Sequence, residues 1–466
     1  MKANFRIRSS LLPLCPLLGL VVACGSAGSA DDDDPVGAGS GGTLPTGASS
    51  GGTVPGTGGI SATGAAATGG PATGGIGMGG ASAGTAPTGG VTATGAAGGQ
   101  PTGGAPTGGA QAGGSPAGGA GGTGGAQTGG SPAGGAGGTG GAQTGECPMG
   151  LEGFATVSAE GVNGTTGGGN TTPVQVATLA ELAAAVEGSE PGVVVVSGTI
   201  RTTDGDGYPL AIGSNKTVVG ADANATIYGG LRVNDVSNVI IRNLHIQGVW
   251  PDSGPDDTLS SRGSHHIWWD HLDVRDAGDG LLDITRESNY QTVSWCKFWY
   301  NDSSNDHRLA ALIGSGGGDH PEDWDKLKTT YHHNWWAELV KSRMPRVVYG
   351  QAHVYNNYYN STGNSYCVGV GSYGSILVEN NYFKDVNNPH QFMYEVWMYA
   401  AASGNVYDDS SGAQDTGLGG SRDACPDGDC SIQENFDPGP FDPPYAYNLE
   451  AAEGVPDIVT RCAGPR

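Results

Sequence analysis

His353-Val354-Tyr355-Asn356-Asn357-Tyr358-Tyr359 and, 24 residues on, Leu377-Val378-Glu379-Asn380-Asn381-Tyr382-Phe383 carry the pattern that decides the fold. In each, a short apolar strand runs into a pair of asparagines and resumes as an aromatic strand. Similar short strands are expected at Thr217–Val219, Val239–Ile241, His266–Trp268, Thr292–Ser294, Thr329–Tyr331, His353–Tyr355 and Ile376–Val378. Asn243, His271, Cys296, Asn334, Asn357 and Asn381 are read as equivalent bend positions, at spacings of 28, 25, 38, 23 and 24. A period in the twenties with strand content is the mark of a solenoid. The spacing of 38 implies an insertion, placed at Gly316–Lys326. The fold expected is therefore all-β, a parallel β-helix whose coils stack like residue on like. Asn tolerates left-handed backbone at a bend, and its amide can bond to the Asn of the next coil. The asparagines thus read as a structural ladder, and Trp335, Trp336, Tyr358, Tyr359, Tyr382 and Phe383 as stacks within it.

Outward from this core, the chain changes character. Thr178-Leu179-Ala180-Glu181 has capping-box spacing, and Leu179, Leu182, Ala183 and Val186 give one apolar helix face. One short N-terminal helix is expected there, before the buried strand Val193–Val196. Residues 25–146 are low-complexity Gly, Ala, Thr, Ser and Pro, and Gly113–Thr128 recurs unchanged at Gly129–Thr144. That unit has too little apolar surface to offset the entropy of ordering. It reads as a disordered tether, 24–146, whose root-mean-square reach is roughly 60 Å for about 120 residues. Asp31–Asp34 reads as a solvated acidic run. The folded domain is placed at 147–466.

The first 23 residues read as a signal peptide. Lys2, Arg6 and Arg8 precede the short apolar run Leu11–Val22, which Pro13, Pro16 and Gly19 interrupt, so a membrane span is not expected. The run ends Val21-Val22-Ala23-Cys24-Gly25, which resembles a bacterial lipobox. That resemblance implies lipidation of Cys24, export and anchoring to a membrane; Gly25 in place of Asp points to the outer membrane and the cell surface. Six cysteines follow: Cys147, Cys296, Cys367, Cys425, Cys430 and Cys462. An even number in an exported chain suggests disulfides, with 15 possible pairings. Cys425 with Cys430 is the simplest pair to picture, and Cys147 and Cys462 stand at the two ends of the domain. A formal net charge of −24 excludes nucleic-acid binding through a general basic surface.

The chemistry-bearing residues fall in an ordered series. Ile267-Trp268-Trp269-Asp270-His271 is followed by Asp279-Gly280-Leu281-Leu282-Asp283-Ile284 and Ser288-Asn289-Tyr290-Gln291-Thr292-Val293-Ser294-Trp295. Then come His332-His333-Asn334, Arg343-Met344-Pro345-Arg346 and Tyr349-Gly350-Gln351-Ala352-His353. In this order they resemble the motifs of the pectate lyase family over roughly residues 153–400. The resemblance implies a right-handed parallel β-helix, calcium (Ca2+) as cofactor, and a polygalacturonate (pectate) substrate. The implied reaction is β-elimination, giving unsaturated oligogalacturonides. A monomer is expected. Elimination removes the C5 proton of a uronate and expels O4, so negative charge builds on the carboxylate, where a Lewis acid helps. Calcium needs several oxygen ligands. By resemblance, Asp257, Asp279 and Asp283 are its ligands, and Arg343 is the base or the stabiliser of the enolate-like intermediate. The same motif places Arg343 one coil beyond the Asp279–Asp283 segment, facing the same groove.

Arg346, Arg308 and Lys341 are the candidate substrate-binding cations. Two positions depart from the family pattern. Val348 stands where a second Arg is expected, and Leu309 where the pattern has Lys, with Arg308 one position earlier. A one-residue shift in a strand reverses the side chain. Lys326, Lys328 and Lys341 are candidates to compensate. The rival readings are a pectin lyase, which the paired aspartates Asp279 and Asp283 disfavour, and a noncatalytic β-helix polysaccharide-binding surface protein.

Overall fold

A computed structural model describes residues 147–205, 208–250, 257–315, 320–425 and 437–466. The signal peptide, the tether and Cys24 lie outside these residues. The domain is a parallel β-helix with three faces. The first face stacks Gly192–Val196, Lys216–Gly220, the starts of Ser237–Gln247 and His265–Arg275, then Asn289–Ser294, Thr329–His332, Gln351–Tyr355, Ser375–Glu379 and Met398–Ser403. Each pairs in parallel with the next. All seven strands expected from the sequence fall on this face. The second face continues through the aromatic strands Lys297–Trp299, Trp335–Trp336, Tyr358–Tyr359 and Tyr382–Lys384. The third face is an eight-stranded parallel sheet.

The interior holds one continuous apolar cluster running from Val176 to Ala400. Within it Phe298, Trp336, Tyr359, Phe383 and Tyr407 stack coil on coil, with ring centroids 4.4–6.0 Å apart. Beside the rings runs the asparagine ladder. Asn334, Asn357 and Asn381 each accept the backbone N–H of the coil before and donate to the Asn ahead, ending at Asn405, with bonds of 2.9–3.0 Å. These bonds satisfy bend amides that the interior would otherwise leave unpaired.

The structure corrects the register of the earlier coils. The left-handed bend residues are Asn243, His271, Trp295, His333, Asn356 and Asn380. The ladder residues one position later are Leu244, Leu272, Cys296, Asn334, Asn357 and Asn381, as the pairings Asp273 with Lys297 and Lys297 with Trp335 require. Asn243 and His271 therefore belong to the bend row, one residue before the row of Cys296. The insertion is also wider than expected. Extra residues fall on both sides of the short strand Leu312–Ile313, as its pairing with Ile284 and the pairing of Gln291 with Thr329 require.

Helix α1 (Leu179–Val186) forms where expected, with both halves of the capping box made by Thr178 and Glu181. It buries Leu182 and Val186 over the first coils and so closes that end of the apolar interior. A second helix, α2 (Val455–Cys462), was not foreseen. It packs Val455, Ile458 and Val459 on Trp295 and Tyr358. A Cys147–Cys462 disulfide ties its end to the start of the domain. Cys296 and Cys367 are buried and free. Cys425 is disulfide-bonded, but Cys430 lies outside the described residues, so that pairing is not addressed.

Candidate functional site: an acidic cluster facing an arginine

The site grows out of the third face, where alternation decides which side chains point outward. Leu231 and Val233, Leu282 and Ile284, and Ile313 and Val347 all enter the core. Their neighbours Arg232, Ser260, Asp283, Leu312, Arg346, Gly369 and Gln391 consequently form one outward row, linked rung by rung. A second line, Gly280–Leu309–Ser342, lies just before it in each coil.

Asp279, Asp283 and Asp257 meet at this edge. Asp257 accepts the backbone N–H of Gly280 at 2.9 Å, and Asp283 accepts that of Leu312 at 3.0 Å. A side chain at Gly280 would run into the carboxylates of both Asp283 and Asp257, so glycine is what lets them converge. Burial, then the nearby Asp283 and Asp279 charges, push Asp257 well above the usual carboxylate range. Burial lifts Asp283 to about 7; Arg343 pulls against that rise and Asp279 adds to it. Tyr300, not among the candidates that the motifs suggest, bridges the coils: its hydroxyl lies 2.7 Å from the Leu309 carbonyl and 3.2 Å from that of Asp279. A lone tyrosine after an aromatic strand gave no signal of this.

Arg343 stands two coils beyond the Asp279–Asp283 segment, not one, because Leu309–Leu312 intervenes. Its guanidinium still reaches back, with Nη1 3.9 Å from Asp279 Oδ1 and 3.9 Å from Asp283 Oδ2. The local backbone explains the aim. Leu309 pairs with Ser342 and Leu312 with Arg346, so this coil carries one more residue than its neighbour. Arg343 is at that bulge with φ +60°. Such a conformation is uncommon outside glycine, and bulges beside sites re-aim side chains. The following Met344–Pro345 peptide is cis.

The other candidates divide. Arg346 is on the row of Asp283 but only 1% exposed. Arg308 and Lys341 are adjacent across the coils, joined by Lys341 N–H to Arg308 O at 2.7 Å. The Arg308 guanidinium donates to the Ser303 carbonyl at 2.6 Å. Val348 is wholly buried in the core. Lys326 pairs with Glu160 and Lys328 with Asp325, so neither is brought to the cluster. Among the described residues no group of three or more His, Cys, Asp or Glu side chains is gathered closely enough to hold a metal by itself. The donor set still fits a hard cation: its side-chain donors are all carboxylate oxygens, in a cradle kept open by Gly280, and a ligand from outside would have to complete the shell.

Fold and site together define a parallel β-solenoid with a cluster of aspartates facing an arginine on its third face. The chain belongs to the pectate lyase family, whose model matches residues 91–465. It is 40% identical over 230 residues to pectate lyase A of Emericella nidulans, covering 48% of this chain and 66% of that protein. It is 39% identical over 216 residues to a pectate trisaccharide-lyase of Thermotoga maritima, covering 45% and 56%. The matched region thus spans less than two thirds of these two relatives. Pectate lyase A of Aspergillus niger is 36% identical over 262 residues, covering 54% of this chain and 76% of that one. In fold, the chain resembles a pectate lyase bound to hexasaccharide (TM-score 0.53, 22% identity, 67% of this chain and 96% of that one). It also resembles a pectate lyase from Bacillus sp. N165 in complex with trigalacturonate (TM-score 0.51, 24% identity, 68% and 99%).

Proposed function

We propose that the protein is a calcium-dependent pectate lyase that cleaves (1→4)-α-D-galacturonan by β-elimination, releasing unsaturated oligogalacturonides. The observation that carries this is the approach of Arg343 to Asp279 and Asp283 across two coils. Asp257, Asp279 and Asp283 would hold calcium, with a uronate carboxylate of the substrate completing the shell. The bound cation supplies Lewis-acid stabilisation of charge on that carboxylate. Arg343 takes the C5 proton or holds the developing negative charge. A guanidinium is ordinarily protonated throughout, so the stabilising role demands less of it. The carbonyls of Asp279 and Leu309, linked through Tyr300, keep the acidic edge in register with the coil between it and Arg343.

The test is the absorbance of unsaturated product from polygalacturonate, with and without chelator. Product that forms only with calcium supports the reading. Binding of the polymer without product would favour the noncatalytic alternative. Activity confined to methyl-esterified polymer would favour a pectin lyase.

For location, we propose lipidation at Cys24, with residues 24–146 as tether to the outer membrane. Among the described residues no helix is long and apolar enough to cross a membrane. Labelled fatty acid should enter the wild-type chain and not Cys24→Ala; label retained by the variant would reject the anchor.

A further inference from the structure

The outward row that carries Asp283 does not begin there. Two rungs earlier, through Ser260, it presents Arg232. Leu231 and Val233 are buried on either side, so Arg232 points away from the core, and its side chain is partly exposed. At one strand spacing per coil, it stands about 10 Å from Asp283 along the helix axis.

Arg232, like Arg262 and Lys341, has no side-chain partner among the described residues, and of these three it alone lies on the row of Asp283. Most cations of the described domain are occupied. Arg242, Arg275, Arg286, Lys297, Lys326, Lys328 and Lys384 all have carboxylate partners. Arg232 has neither an ion pair nor a side-chain hydrogen bond among the described residues, in a chain of net charge −24. A guanidinium kept partly desolvated without a partner is matched to a carboxylate from elsewhere. Its neighbour on the row toward the cluster, Ser260, is small and also partly exposed.

We propose that Arg232 is a specificity-determining residue: it binds a uronate carboxylate at an outlying subsite, further along the polymer than the sugar held at the acidic cluster. The proposal rests on the lyase reading for its substrate class. It makes the groove run across the coils along the row Arg232–Ser260–Asp283. It also answers the difficulty that an acidic protein poses to a polyanion, by placing a fixed cation on the approach. Arg232 touches neither the reacting sugar nor Arg343, so its contribution is to binding.

The experiment compares wild type, Arg232→Gln and Arg232→Lys, each checked for unchanged circular dichroism and melting. Because an exposed charge pair is weak, Arg232→Gln should raise KM on long polygalacturonate about fivefold with kcat unchanged. Short oligogalacturonides that do not reach the subsite should be cleaved as by wild type, and Arg232→Lys should recover most of the loss. Retardation in gels cast with polygalacturonate, without calcium, reads binding independently of turnover and should weaken in Arg232→Gln. An unchanged KM and unchanged retardation would overturn the subsite, as would an equal loss on short and long substrates. If wild type forms no unsaturated product but its retardation depends on Arg232, the lyase reading fails and the carboxylate site stands.

Discussion

Arg343 and Asp283 belong to coils two apart, yet Arg343 Nη1 lies 3.9 Å from Asp283 Oδ2. The contact depends on the extra residue at Arg343 and on its φ of +60°. The arginine is 5% exposed. If Arg343 acts in the transition state, Arg343→Lys should lower kcat by at least about a hundredfold. KM and calcium affinity should stay near the wild-type values, since Lys keeps the charge but loses the planar fork. Steady-state kinetics with a calcium titration checks this. A variant within a few-fold of wild type would remove Arg343 from the chemistry.

The second prediction isolates the carboxylates. Asp283→Ala removes one arm of the cradle at Gly280 while leaving the apolar residues on either side in the core. Calcium affinity, read by isothermal titration in the presence of a short galacturonan, should fall at least about tenfold, the cost typical of disturbing a metal site. The melting temperature without calcium should change far less than calcium affinity, because stranding the Leu312 N–H and the Arg343 guanidinium is offset by relief of a carboxylate held in burial beside Asp279. Unchanged calcium affinity would move the metal elsewhere.

How much of this was legible beforehand follows from where the physics is local. Period, strand positions and the capped helix α1 depend on near neighbours in sequence, and all three were read correctly. The bend row was misplaced by one residue in the early coils because His271 and Trp295 adopt the left-handed conformation that Asn356 and Asn380 advertise. Only pairing across coils reveals such a slip. The distance from Asp283 to Arg343 was misjudged for a related reason: Leu312–Ile313 is a two-residue strand with no pattern of its own, so a whole coil went uncounted. Helix α2 has its apolar face, but nothing nearby in sequence names Trp295 and Tyr358 as its partners. Tyr300 and Arg232 gain meaning only from the row beside them.

A third prediction concerns pH. His353 is buried, with Nδ1 2.8 Å from the Tyr445 hydroxyl and Nε2 3.1 Å from Glu379. Burial holds its imidazole below the ordinary value, although Glu379 pulls it upward. The folded pKa is therefore lower than the unfolded one of about 6.5, and as pH drops through that value the unfolded chain gains protons first. Stability from this group is present above about pH 6.5 and is lost as pH falls toward the folded value. Comparing wild type with His353→Gln by urea unfolding separates it from Asp257 and Asp283, whose raised values act in the opposite sense. The stability advantage of wild type should shrink as pH is lowered from about 7.5 to about 5.5. An advantage that grows on acidification would mean that Glu379 outweighs burial.

The last prediction grades the asparagine ladder by position. Asn357 is fully buried; it accepts from the N–H and Nδ2 of Asn334 and donates to Tyr331 O, Tyr355 O and Asn381 Oδ1. Asn357→Leu has a similar shape but can do none of this, and it strands a buried backbone amide on one side and carbonyls on the other. The cost should be about 3–5 kcal/mol, beyond that of a single unmade bond, because several groups lose their partners at once. Asn405 ends the ladder: it accepts from Asn381 and donates to Val378 O, and it is only partly buried. Water can replace its bonds, so Asn405→Leu should cost about 1 kcal/mol. Urea unfolding of the two variants, with the slope of the transition held as a control for cooperativity, reads the difference. If both cost the same, the asparagines contribute as spacers and the bonds between coils add nothing that depends on burial. A larger loss at Asn357 would show that the buried bonds between coils stabilise the solenoid beyond what spacing alone supplies.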